Sequence, residues 1–135
     1  MKTLLLIATL GTSLAAVPLV SGKLVLKKDL SPRAKGIRTV FFSFYDPAAA
    51  APMPCGAAKL AIEKDASGEF LTYTLDEQSV MLMGCPEIPA TFNLKVKLDK
   101  DGSAGRDSAG DLVGMANGVK KGSVGVVVNV DKFIA

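Results

Sequence analysis

Between residues 90 and 98 apolar and polar positions alternate strictly. Phe92, Leu94, Val96 and Leu98 fall on one side of an extended chain, and Asn93, Lys95 and Lys97 on the other. Successive side chains of a strand point to opposite faces, so the pattern predicts a half-buried strand with one wet face. Shorter runs of the same kind predict strands at 23–27, 37–45, 57–63 and 69–75, with Leu60 and Ile62 sharing a face in the third. A brief fifth strand fits 78–83. The run Val124, Gly125, Val126, Val127, Val128, Asn129, Val130 is β-branched and suits a more deeply buried strand.

Turn residues separate these runs. Ser31-Pro32 and Lys35-Gly36 break the chain after the first strand, and residues 31–35 have room for one helical turn. Asp46-Pro47 closes the second strand, and Pro86 and Pro89 bound the loop before residue 90. A glycine-rich loop runs from 99 to 110, and Asp111-Leu112-Val113-Gly114 follows it. Asn117-Gly118 and Lys121-Gly122 read as turns before the last strand. Helix-period patterns are otherwise missing. Seven or eight short strands at this spacing predict an all-β fold, an antiparallel β-sandwich or a small barrel.

The first residues do not fit that scheme. Lys2 precedes an apolar stretch, and small residues follow at Ala15 and Ala16. This is the layout of a secretory signal peptide over 1–16, with Val20-Ser21-Gly22 as a later end, up to residue 22. The alternative is a retained anchor, because residues 4–20 approach spanning length, although Gly11, Thr12 and Ser13 interrupt them. The remainder, 22–135, reads as a single β-sandwich domain, periplasmic or secreted, with no membrane span once the signal is removed.

Composition narrows the function. Basic residues number 16 and acidic 13, and without Lys2 the basic count is 15. That excess is too small and too scattered for a nucleic-acid surface. Histidine and tryptophan are absent. Without histidine the chain lacks the usual general base, so Ser103 and Ser123 have nothing to activate them. A His₂Cys copper site is excluded for the same reason. Asp76-Glu77 is a carboxylate pair whose side chains diverge on an extended chain, and it reads as a turn. The chain is read as non-enzymatic and without a cofactor. The loop at 99–107 opens Asp-Lys-Asp like a calcium-binding EF-hand loop, but Ala104 and Gly110 stand where that loop needs Gly and Glu. It reads as a solvated connection between strands.

Cys55 and Cys85 are the only cysteines. In an exported chain an even number of thiols pairs, so a Cys55–Cys85 disulfide is expected. A second reading uses the neighbouring thioethers. Met81, Met83 and Cys85 would share one face of an extended segment, and with Met53 and Cys55 they would form a sulfur-rich set suited to Cu(I). Against it, methionines two apart on a strand usually fill a core. A third reading, a small-ligand binding module, has no specific residues behind it.

The C-terminal half resembles a known family. Gly102-Ser103-Ala104, Gly110-Asp111-Leu112-x-Gly114, Val119-Lys120-x-Gly122 and the ending Val126-Val127-Val128-Asn129-Val130-Asp131-Lys132 resemble the C-terminal periplasmic domain of the TPR-containing cytochrome c biogenesis protein (CcmI/CycH type). Earlier segments follow in the same order: Gly22-Lys23-Leu24-Val25-Leu26 with Asp29-Leu30, then Pro52-Met53-Pro54, then Tyr73-Thr74-Leu75-Asp76 leading to Met81. The resemblance implies a β-sandwich-like accessory domain that attaches to TPR modules in haem-attachment machinery, with no catalytic residues to carry over. The sequence departs from that family in showing no transmembrane pair and no TPR helices, and Cys55 and Cys85 lie outside the pattern. The expected function is therefore a periplasmic β-domain that binds a protein partner, a component of cytochrome c maturation.

Overall fold

The alternating and β-branched runs become eight strands. A computed structural model describes residues 17–49, 53–102 and 105–135; the expected signal peptide at 1–16 lies outside them. The strands are β1 (Pro18–Leu26), β2 (Thr39–Tyr45), β3 (Gly56–Ala61), β4 (Glu69–Asp76), β5 (Met81–Leu82), β6 (Thr91–Asp99), β7 (Leu112–Lys120) and β8 (Ser123–Phe133). The one helical element among the described residues is a 3₁₀ helix, Lys28–Ala34, where the sequence left room for a turn.

The antiparallel sandwich is corrected. All eight strands belong to one mixed sheet, ordered β4-β1-β8-β7-β6-β2-β3-β5, which curls strongly into a half-barrel. β1 runs parallel to β8 and antiparallel to β4; every other pairing is antiparallel. The core is the concave side of this one sheet. Leu24, Phe42, Phe44, Tyr73, Leu75, Leu94, Leu98, Leu112, Val128 and Val130 fill it. The curl brings distant strands face to face: the Phe42 and Tyr73 rings, on β2 and β4, lie 5.2 Å apart. Phe44 and Phe92, on adjacent strands, meet edge to face at 4.9 Å.

Local irregularities produce the curl. Asn117-Gly118 is a bulge inside β7 rather than a turn: Phe92 pairs with Val119 but Leu94 pairs with Ala116. Gly118 takes a φ of 64° there, and its N–H donates to the Asn93 side-chain oxygen at 2.9 Å. A left-handed residue costs glycine little, and a bulge increases local twist. The connection from β7 to β8 is the remaining pair, Lys121-Gly122.

The first and last strands of the chain bear on the remaining runs. β1 begins at Pro18 and buries Leu19 and Val20. The 124–130 run sits centrally in the sheet but buries one face only. Val128 and Val130 are inside, while Val124 and Val127 are exposed, because nothing among the described residues covers the convex side at β8.

Candidate functional site

On part of β2 and β6 the convex side is covered, and there it forms a groove. Phe41, Ser43 and Tyr45 point outward from β2, opposite in parity to the buried Val40, Phe42 and Phe44. The ladder sets Phe41 beside Lys97 and Ser43 beside both Lys95 and Ala57. These residues make the floor of a concavity of about 720 Å³.

One wall comes from the sulfur residues. Cys55 and Cys85 form a disulfide. The Cys55 N–H donates to the Phe44 carbonyl at 2.7 Å, and the Met83 N–H to the Cys55 carbonyl at 2.8 Å. These bonds fix Met53, Pro54 and Met83 along the groove, with both methionines exposed. The expected five-sulfur set does not assemble as drawn. Both thiols are consumed by the disulfide, leaving thioethers alone. β5 ends at Leu82, so the alternation from Met81 does not reach Cys85. Met81 is the most exposed of the three, at 73%. None of Met53, Met81 and Met83 is core filler.

The opposite wall is the loop after β6, and it corrects the wet face expected for Lys95 and Lys97. Lys97 is buried: its ammonium donates to the Gly105 carbonyl at 2.8 Å, lies 3.5 Å from Asp99, and sits 6.0 Å over the Phe41 ring. Lys95 donates to both carboxylate oxygens of Asp107 at 2.9 Å. A lone buried ammonium would be very unfavourable; paired and hydrogen-bonded, it pins the loop to the sheet. Two buried carboxylates shape the loop from within. Asp99 accepts the N–H groups of Asp101 and Gly102, at 2.9 and 2.8 Å. Asp111 accepts those of Lys100 and Ser108, at 3.1 and 2.8 Å. The Asp-x-Asp start is thus an internal turn, and no cluster of three or more metal-ligating acidic, histidine or cysteine residues occurs among the described residues.

Asp76, half of the other carboxylate pair, also turns the chain. It accepts the Ser79 hydroxyl at 2.8 Å and the N–H groups of Gln78 and Ser79, both at 2.9 Å. The Ser79 hydroxyl and N–H bonds hold its pKa below the ordinary carboxylate value.

The groove offers two aromatic rings, two exposed thioethers and a charged margin of Lys95, Arg106 and Asp107. Among the described residues Ser43 is its one hydroxyl besides Tyr45, and the chain has no imidazole to activate either. The arrangement suits apolar groups carried by a larger molecule, which thioethers accommodate by changing rotamer. Strand periodicity alone gave Phe41 and Tyr45 no special place. The available signal was that 40–45 is apolar at both parities, which a strand with one wet face should not be.

No helix among the described residues is long and apolar enough to cross a membrane. Comparison of the chain with protein-family models, with curated proteins and with solved structures finds no match.

Proposed function

We propose that this chain is a non-enzymatic, exported β-domain that docks a protein partner in the groove between Met53, Met83 and the 105–107 loop. The observation that carries the reading is the outward placement of Phe41 and Tyr45 beside two exposed methionines, on a sheet whose other face holds the core. Exposed apolar groups gathered in one concavity, with charges at its margin, are the usual makeup of a recognition surface. The resemblance to the cytochrome c biogenesis domain supports a partner within cytochrome c maturation. The disulfide supports an oxidising compartment, periplasmic or extracellular.

The test is binding of the purified oxidised protein to individual cytochrome c maturation components, against a Phe41→Ser/Met83→Glu variant. Binding by the parent and loss in the variant is the expected result. Equal binding by both would remove the groove from the reading, and binding by neither would remove the link to cytochrome c maturation.

A second reading, Cu(I) carriage, draws on the exposure of Met53, Met81 and Met83 and loses both thiolates to the disulfide. Competition against a chromogenic Cu(I) chelator separates the two. Stoichiometric binding by the oxidised parent, abolished by Met81→Leu/Met83→Leu, would favour the carrier.

A further inference from the structure

Three cations line a second, separate hollow of about 490 Å³: Arg33 and Lys35, from the 3₁₀ helix and its C-terminal cap, and Lys100, from the loop after β6. Phe133, at the end of β8, and Gly110 form part of its wall, and no acidic side chain among the described residues lines it. Packing holds two of the three in place. The Arg33 guanidinium carbon stands 4.0 Å from the centre of the Phe133 ring, which fixes its plane and leaves its N–H edges free to donate. The Lys100 stem lies over Gly110, where a Cβ would come within 3.1 Å of its Cδ.

Six of the molecule's cations are paired with carboxylates. Lys23, Lys27, Arg38, Lys95, Lys97 and Lys121 each have a carboxylate within ion-pair distance. Arg33, Lys35 and Lys100 have none among the described residues, nor have Lys28, Lys59, Lys64, Arg106, Lys120 and Lys132; these three stand apart in lining one hollow together. Asp65, which feels the Lys35 charge at a distance, is engaged by the Gly36 N–H at 3.0 Å and by Arg38 at 2.9 Å. Three like charges around one hollow repel one another unless an anion occupies it. A flat carboxylate is satisfied by one guanidinium fork, whereas a phosphoryl group has three oxygens to share among separate cations.

We propose that this hollow binds a phosphoryl-class oxyanion, either free phosphate or the headgroup of an anionic lipid. The site is independent of the groove and of its partner.

The experiment is titration of the ¹⁵N-labelled protein with inorganic phosphate, beside co-sedimentation with phosphatidylglycerol and with phosphatidylcholine vesicles. Saturable shifts are expected at Arg33, Lys35, Lys100 and Phe133. Affinity should weaken about tenfold or more in Arg33→Gln/Lys100→Gln and hold in a control with the same charge change, Lys59→Gln/Lys120→Gln. Sedimentation with phosphatidylglycerol alone, lost in the first variant, assigns the site to a lipid headgroup. Saturation by phosphate without sedimentation assigns it to the free ion. The proposal is overturned if neither phosphate nor vesicles bind, or if both variants weaken binding equally.

Discussion

The Tyr73 hydroxyl donates to the Val126 carbonyl at 2.8 Å, across the width of an intervening strand. Tyr73 pairs with Gly22 on β1, and Gly22 pairs with Val126 on β8. The bond therefore ties β4 to β8 over a residue that has no side chain. The same ring rests on Phe42. One residue thus fastens the edge strand to the centre of the sheet and holds the curled sheet against its own far side.

Burial pushes the Tyr73 hydroxyl up to about 12 from 10.0. Between these values the unfolded chain has released the proton while the folded chain keeps it. The folded state binds more protons, so stability falls as pH rises from 10 to 12, by roughly 2 kcal/mol over the interval. Tyr73→Phe should lose about 1 kcal/mol at neutral pH through the missing hydrogen bond, and should flatten this part of the alkaline decline. Urea unfolding of both proteins across that pH range checks the sign.

Gly22 and Gly114 flank β8 from opposite sides. A Cβ on Gly22 would overlap the Val126 carbonyl oxygen, and one on Gly114 the Asn129 carbonyl oxygen. Both obstacles are backbone, so neither can turn away. Gly22→Ala and Gly114→Ala should each destabilise by about 3 kcal/mol or more. Gly68→Ala, which meets nothing within 4 Å but has a φ of 56°, should cost only about 1 kcal/mol. Thermal melts of the three variants give the ranking.

Removing the disulfide by Cys55→Ala/Cys85→Ala should cost about 3.5 kcal/mol on the chain-entropy view, for a sequence separation of 30. β5 spans only two residues and pairs only with β3, so its protection should fall further than that of β6. Amide hydrogen exchange on the double variant should show fast exchange at Met83 and unchanged slow exchange at Leu94 and Val96.

Lys97→Met keeps the length of the stem and removes the ammonium. Asp99 then stays buried without its nearest cation, and the Gly105 carbonyl loses its donor. Breaking a buried pair from one side costs roughly 3 kcal/mol. Proteolysis within the 105–107 loop should become faster than in the parent. An unchanged cleavage rate would show that Lys95 and Asp107 hold the loop by themselves.

The sequence by itself determined where strands form and which side of most of them is apolar. Alternation is local: Phe92, Leu94, Val96 and Leu98 lie on one face whatever the strand pairs with, and all four are buried. An even cysteine count likewise needs no fold to suggest the Cys55–Cys85 bond, which the structure contains. Tertiary structure decided everything that depends on partners far apart in the chain. No local pattern marks β1 as the parallel neighbour of β8, 100 residues or so away, so a single curled sheet could not be told from two stacked ones. Nor does alternation distinguish a wet face from a covered one. Lys97 looks solvated in sequence, and only the return of the 105–107 loop over β6 buries it. The groove arises in the same way: its aromatic floor was present in the chain at residues 41 and 45, but its two walls come from segments that meet there only because the sheet curls and a disulfide and an ion pair hold them.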